Sequence, residues 1–187
     1  MKRKDKPPWQ IVSCRSVLKT PYFSVLNQHV RGPNRASHDY YTVSFPGPAI
    51  GVIPRRDEQY LLIHQYRFIV EEYVWAIPSG GVEKGESLEA AAQRELLEET
   101  GWRAGRLTHL FGYYASYGVT NQRFELFLAE DLEPANEIFD TGEVLRIDWF
   151  SRQELINMIL SNKIVDGLSL TPLAVLLLSE ELDLKAP

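Results

Sequence analysis

Three glutamates, Glu95, Glu98 and Glu99, crowd the end of the run Ser87–Gly101. The run predicts a helix. Ser87 suits an N-cap, Glu86 and Glu89 suit the first turn, and Gly101 sits where a helix stops. At spacings of i, i+3 and i+4 the three carboxylates share one helix face. Like charges so placed cost roughly 0.2–0.5 kcal/mol per pair. The partial negative charge of a helix C-terminus opposes them further. Arg94 can offset part of this by reaching Glu98, although Arg ahead of Glu is the weaker orientation. Taken alone, such a face is usually solvated surface. A hard divalent cation gives it another purpose, because Mg²⁺ takes oxygen ligands, keeps several waters and favours a few carboxylates with substrate phosphates. The loop before the helix carries Gly80, Gly81 and Gly85, where backbone can approach a ligand closely. A strand, a glycine-rich loop and an acidic helix face describe a metal–phosphate site.

The surrounding elements must position that face. Gln10–His29 predicts two strands and Tyr40–Phe45 a third, with a turn-rich break at Gly32–Ser37. Ala49–Ile53 and Gln59–Tyr66 flank a short turn and read as a hairpin. Tyr73–Ile77 is a further strand ending at Pro78. Three strand-like segments follow the helix, in RLTHLFGYYAS, RFELFLAED and EVLRIDWF. Ser151-Arg152-Gln153-Glu154 is a capping box that opens a helix to about Ser161. A last helix is predicted over Pro172–Leu182, with Pro172 near its first turn. Strands and helices do not alternate regularly, so the order is a mixed sheet with helices and not a doubly wound one.

The 187 residues, 44% of them hydrophobic, suit one globular domain with a small appendage. A net charge of -5 leaves no footprint for nucleic acid. The basic start MKRKDK lacks the apolar run of a signal peptide and reads as a solvated tail. The longest apolar run, Leu173–Leu178, is too short to span a bilayer, so no membrane is expected as a partner. The single cysteine, Cys14, allows no internal disulfide and points to a reducing cytoplasm.

Gly80, Glu86 and Arg94-Glu95-Leu96-Leu97-Glu98-Glu99-Thr100-Gly101-Trp102, at their spacings, resemble a complete Nudix box. A chance match of its seven fixed residues falls on the order of once in 10⁸ windows. The resemblance implies a Nudix-type α/β/α sandwich with a mixed sheet, and hydrolysis of a nucleoside diphosphate linked to another group. It implies Mg²⁺ as cofactor, with Mn²⁺ as a substitute. Carried over, Glu95 and Glu99 would be the principal metal ligands and Glu98 a further ligand or water-activating group. Arg94 would orient the cluster, and the Ser79 carbonyl would complete the coordination.

The flanks His64–Phe68, Ile77–Glu86, Gly112–Gly118 and Phe124–Leu132 resemble the ADP-ribose pyrophosphatase and nucleoside diphosphate sugar hydrolase branch. Ala76 and Tyr117 depart from it, standing where the branch usually has an acidic residue and a proline. The turn reads Pro78-Ser79-Gly80 in place of proline-alanine-glycine. The missing proline favours a broader or different nucleotide sugar. The branch's general base often lies on a loop well past the box, which points to Glu143, with Glu137 as fallback. Arg67 would contact a substrate phosphate or ribose, and Tyr117 a base or sugar. His64 and His109, in strands, are expected to be structural. Residues 1–46 would form an N-terminal β segment, ahead of a Nudix domain over 47–187; it could pack on its own catalytic domain, but the branch favours strand exchange in a homodimer. Two other readings remain open: a Nudix enzyme for another nucleotide class, and a non-catalytic nucleotide sensor.

Overall fold

The computed structural model describes residues 7–135 and 142–182. These form ten strands and three helices in two compact units. The first unit comprises Met1–Pro46 and the distant segment Ser116–Gln122. Its strands β1 (Gln10–Lys19), β2 (Ser24–Arg31) and β3 (Ser37–Ser44) make an antiparallel sheet in that order. The distant segment joins this unit through backbone and side chains: the Val43 amide donates to the Val119 carbonyl (2.9 Å), and the Phe45 amide to Asn121 Oδ1 (2.7 Å). Every residue of β1 is exposed, Ile11, Val12, Val17 and Leu18 included.

The second unit is built on a seven-stranded mixed sheet. β4 (Ala49–Arg56) and β5 (Gln59–Arg67) form the expected hairpin, turned at Asp57, whose φ is 55°. β6 (Glu72–Ala76) pairs with β5, and the short β7 (Ser79–Gly81) pairs with β4. After helix α1 (Leu88–Thr100) come β8 (Trp102–Tyr114), β9 (Arg123–Pro134) and β10 (Val144–Ser151). Helices α2 (Arg152–Leu160) and α3 (Gly167–Glu181) end the described chain. The main path runs β10-β5-β4-β9-β8, with β4 and β9 parallel and the other neighbours antiparallel.

The central strands alternate cleanly between two cores. On β9, Phe127 and Ala129 face Ala91, Ala92 and Leu96 of α1, with Ile50 and Val52 of β4. Leu126 and Leu128 face the other way, with Ile53, Leu155 of α2 and Leu173 and Leu176 of α3. Burial on both faces explains why these strands read as nearly continuous apolar runs. The result is the expected α/β/α sandwich. Alanines at 91 and 92 let α1 lie close on the sheet, and that closeness brings its acidic end over β7.

One helix boundary departs from expectation. α3 starts at Gly167, capped by Asp166, whose side chain accepts the Ser169 amide. Pro172 therefore sits inside the helix rather than near its start. An aspartate N-cap outweighed the proline as a start signal.

Candidate active site

α1 is fixed at both ends. Ser87 Oγ accepts the Ala90 amide (3.1 Å), and Gly101, at φ 72°, donates its amide to the Leu97 carbonyl (2.8 Å). Between these caps Leu96 is fully buried against the sheet. The apolar anchor turns its neighbours Glu95 and Glu99 toward β7.

Glu99 is only 6% exposed, and its Oε2 accepts the Ser79 amide at 2.7 Å. Burial is the main cause that pushes its carboxyl up to about 8; the Ser79 amide opposes this, and Glu95 adds to it. Burial likewise raises Glu95, against the pull of Arg94. The Glu95 carboxylate lies against Gly80, where any Cβ would collide with it. A side chain at position 80 is thus incompatible with Glu95 as placed.

Arg94 is the hub. Its Nε and Nη2 bind the two oxygens of Glu86 (3.0 and 3.1 Å), and Nη2 also reaches the Gly81 carbonyl (3.0 Å). Nη1 binds Glu95 (2.6 Å) and, more loosely, Glu98 (3.2 Å). Glu86 in turn accepts the Glu83 amide at 3.0 Å. One forked guanidinium therefore ties the glycine loop to the acidic face, a geometry lysine cannot supply. These bonds hold the Glu86 carboxyl below the usual carboxylate range and raise Arg94 further above its own.

The residues present fit a hard divalent cation. Two desolvated carboxylates, Glu95 and Glu99, are both raised in pKa, and Glu95 sits against Gly80 where a Cβ would displace it. Among the described residues no three His, Cys, Asp or Glu side chains close on one point. Two carboxylates and neighbouring backbone oxygen suit a hard divalent cation that uses few protein ligands and leaves positions for phosphate.

A NUDIX domain model matches residues 45–167. The chain belongs to the NUDIX family. Among curated proteins it is 31% identical to the ADP-ribose pyrophosphatase of Bacillus subtilis (strain 168), over 90% of this chain and 95% of that protein. It is 26% identical to the CMP-5'-(N-acetyl-N-hydroxy-3-aminopropyl)phosphonate hydrolase of Streptomyces rubellomurinus (strain ATCC 31215), over 87% of this chain and 79% of that one. A crystal structure of an ADP compounds hydrolase superposes with a TM-score of 0.83 at 22% identity, covering 96% of this chain and 97% of that chain.

Within the NUDIX fold, the predicted site residues are placed differently from one another. Ser79, Arg94, Glu95 and Glu99 are brought together as described. Glu98 meets Arg94 at 3.2 Å and acts electrostatically on Glu95, with a side chain 53% exposed. Arg67, at the exposed end of β5, and Glu143, in the turn before β10, both act electrostatically on Glu99, Arg67 lowering its pKa and Glu143 raising it. Tyr117 belongs to the first unit, where it is 88% exposed. Glu137 lies outside the described residues.

Three groups have contacts that the sequence did not reveal. Glu86 was expected in the first turn of α1, but it precedes the cap and clamps Arg94; its signal was the eight-residue interval to an arginine. Glu125, buried on β9, binds His109 Nε2 at 2.9 Å and the Arg123 guanidinium, so His109 is a satisfied structural histidine. Ser169 is buried at the start of α3, and its partner is far away in sequence.

Proposed function

We propose that this NUDIX chain hydrolyses the diphosphate bond of nucleoside diphosphate sugars, ADP-ribose or a related compound, to a nucleoside monophosphate and a sugar phosphate. The observation that carries this reading is the pair Glu95 and Glu99, desolvated beside Gly80 and held by Arg94 and the Ser79 amide. The names of the relatives, two of them hydrolases of ADP-containing or CMP-linked compounds, support the substrate class.

In this reading Glu95 and Glu99, with the Ser79 carbonyl and Glu98 as a further ligand, hold Mg²⁺, or Mn²⁺ in its place. A divalent cation there neutralises phosphate oxygens and acidifies water. Arg94 orients the glutamates and keeps the glycine loop closed on them. Arg67 binds a substrate phosphate by charge-assisted hydrogen bonds. Water attacks one phosphorus, the bridging P–O bond breaks, and Glu143 accepts the proton of the attacking water. Tyr117 offers a stacking face for base or sugar. The exposed β1 supports a homodimer in which the first unit is covered by a second copy. The free Cys14 fits a reducing cytoplasm. Among the described residues no helix is long and apolar enough to cross a membrane.

The test is a hydrolysis screen with ADP-ribose, GDP-mannose and UDP-glucose in Mg²⁺, with products identified. Nucleoside monophosphate and sugar phosphate are expected from at least one. Turnover only of nucleoside triphosphates with pyrophosphate release, or no turnover, would reject the proposal. In the same assay Glu143→Gln lowers kcat with KM held; a loss confined to KM would make Glu143 a binding residue.

A further inference from the structure

The chain changes partner between β6 and β7. The β6 ladder with β5 ends at Ala76, opposite Ile63, and the β7 ladder with β4 spans Ser79, opposite Gly51. Ile77 and Pro78 belong to neither ladder. Ile77 is fully buried, and a buried amide must find a partner. It finds Ser169 Oγ, at 3.1 Å and 92 residues away. The next two residues carry the connection onward: the Pro78 carbonyl accepts the Val52 amide (2.9 Å), and the Ser79 amide donates to Glu99 (2.7 Å).

Ser169 is held for this task. It is 1% exposed, and its hydroxyl donates to Asp166 Oδ2 at 3.2 Å, which leaves the oxygen's lone pairs toward Ile77. The cap of α3 does not need that hydroxyl, because Asp166 already accepts the Ser169 amide at 3.1 Å. The start of α3 is itself pinned, with Tyr113 Oη donating to the Gly167 carbonyl at 2.6 Å. Gly51, the pairing partner of Ser79, makes room for the junction. A Cβ there would stand 2.8 Å from Ile77 Cδ1 and 3.2 Å from Leu168 Cδ1.

We propose that Ser169 is a positioning residue for the active site: with Asp166 it fixes the strand crossing at Ile77 and thereby sets where Ser79 meets Glu99. The functional half of this inference rests on the reading of Glu95 and Glu99 as the cation-holding pair. The structural half does not.

The test uses full-length protein and compares Ser169→Ala with Leu177→Ala, a buried core substitution further along the same helix. Two quantities are measured: native-state amide exchange at Ser79 in the metal-free protein, and Mn²⁺ affinity by calorimetry. In Ser169→Ala the exchange at Ser79 should quicken and Mn²⁺ binding should weaken, each by tenfold or more. Leu177→Ala, once corrected for its global stability, should leave both near wild type. Unchanged Ser79 exchange in Ser169→Ala, or the same changes in Leu177→Ala, would overturn the proposal. Ser169→Cys fills similar space with a poor acceptor and gives the same reading if the alanine protein does not fold. Glu99→Gln separates the two claims: if it binds Mn²⁺ as wild type does, the cation reading fails, while Ser79 exchange still judges the role of Ser169.

Discussion

Glu99 is placed where a carboxylate is hard to ionise. Burial and the neighbouring Glu95 raise its pKa to about 8, and one backbone amide does not compensate. A carboxyl raised in the folded state binds a proton there that the unfolded chain has already lost. Stability from this group is therefore full below the ordinary glutamate range, near pH 4.5, and falls as pH rises toward 8. The difference is on the order of a few kcal/mol. His64, lowered by burial, contributes with the opposite sign, so the comparison must isolate position 99. Metal-free Glu99→Gln should gain on wild type as pH goes from 5 to 8, by roughly 5 °C or more in Tm. Thermal melts across that range check it, and parallel melting curves for the two proteins would refute it. Mg²⁺ should restore the wild type at pH 8, because a ligand of the native state stabilises by mass action.

At the scale of elements, the glycine loop and α1 act as one piece because Arg94 bonds to both. Gly80→Ala should break that piece locally. The new Cβ meets the Glu95 carboxylate, so Glu95 must leave its position or β7 must shift. Turnover should fall at least a hundredfold while the far-ultraviolet spectrum stays that of wild type; retained activity in a folded variant would contradict the placement of Glu95. Much at this scale was legible in the sequence. Capping signals at Ser87, Gly101 and Ser151 announced their helices because caps are local chemistry. The acidic face of α1 was legible too, since helical spacing alone puts 95, 98 and 99 together. The start of α3 was not, because Pro172 is a start signal only when nothing stronger precedes it. The contacts of Ser169 and Glu125 were illegible for another reason: their partners come from other strands or helices, and only the assembled fold brings them together.

For the whole molecule, the first unit presents β1 with all its residues exposed, including Ile11, Val12, Val17 and Leu18. Such an apolar edge strand needs cover. We expect a homodimer, and removal of residues 1–46 should abolish both dimerisation and affinity for nucleotide sugar. Light scattering at assay concentration checks this; a fully active monomer would show the expectation wrong. In the proposed function, the buried Glu99 carboxylate helps hold the cation at which a diphosphate is cleaved. The most direct measurement is turnover of the best nucleotide sugar by Glu99→Gln, with and without Mg²⁺, in protein shown to be folded. Wild type should be active only with a divalent cation, and the variant should lose activity by three orders of magnitude or more. Near-normal turnover in a folded Glu99→Gln protein would contradict it.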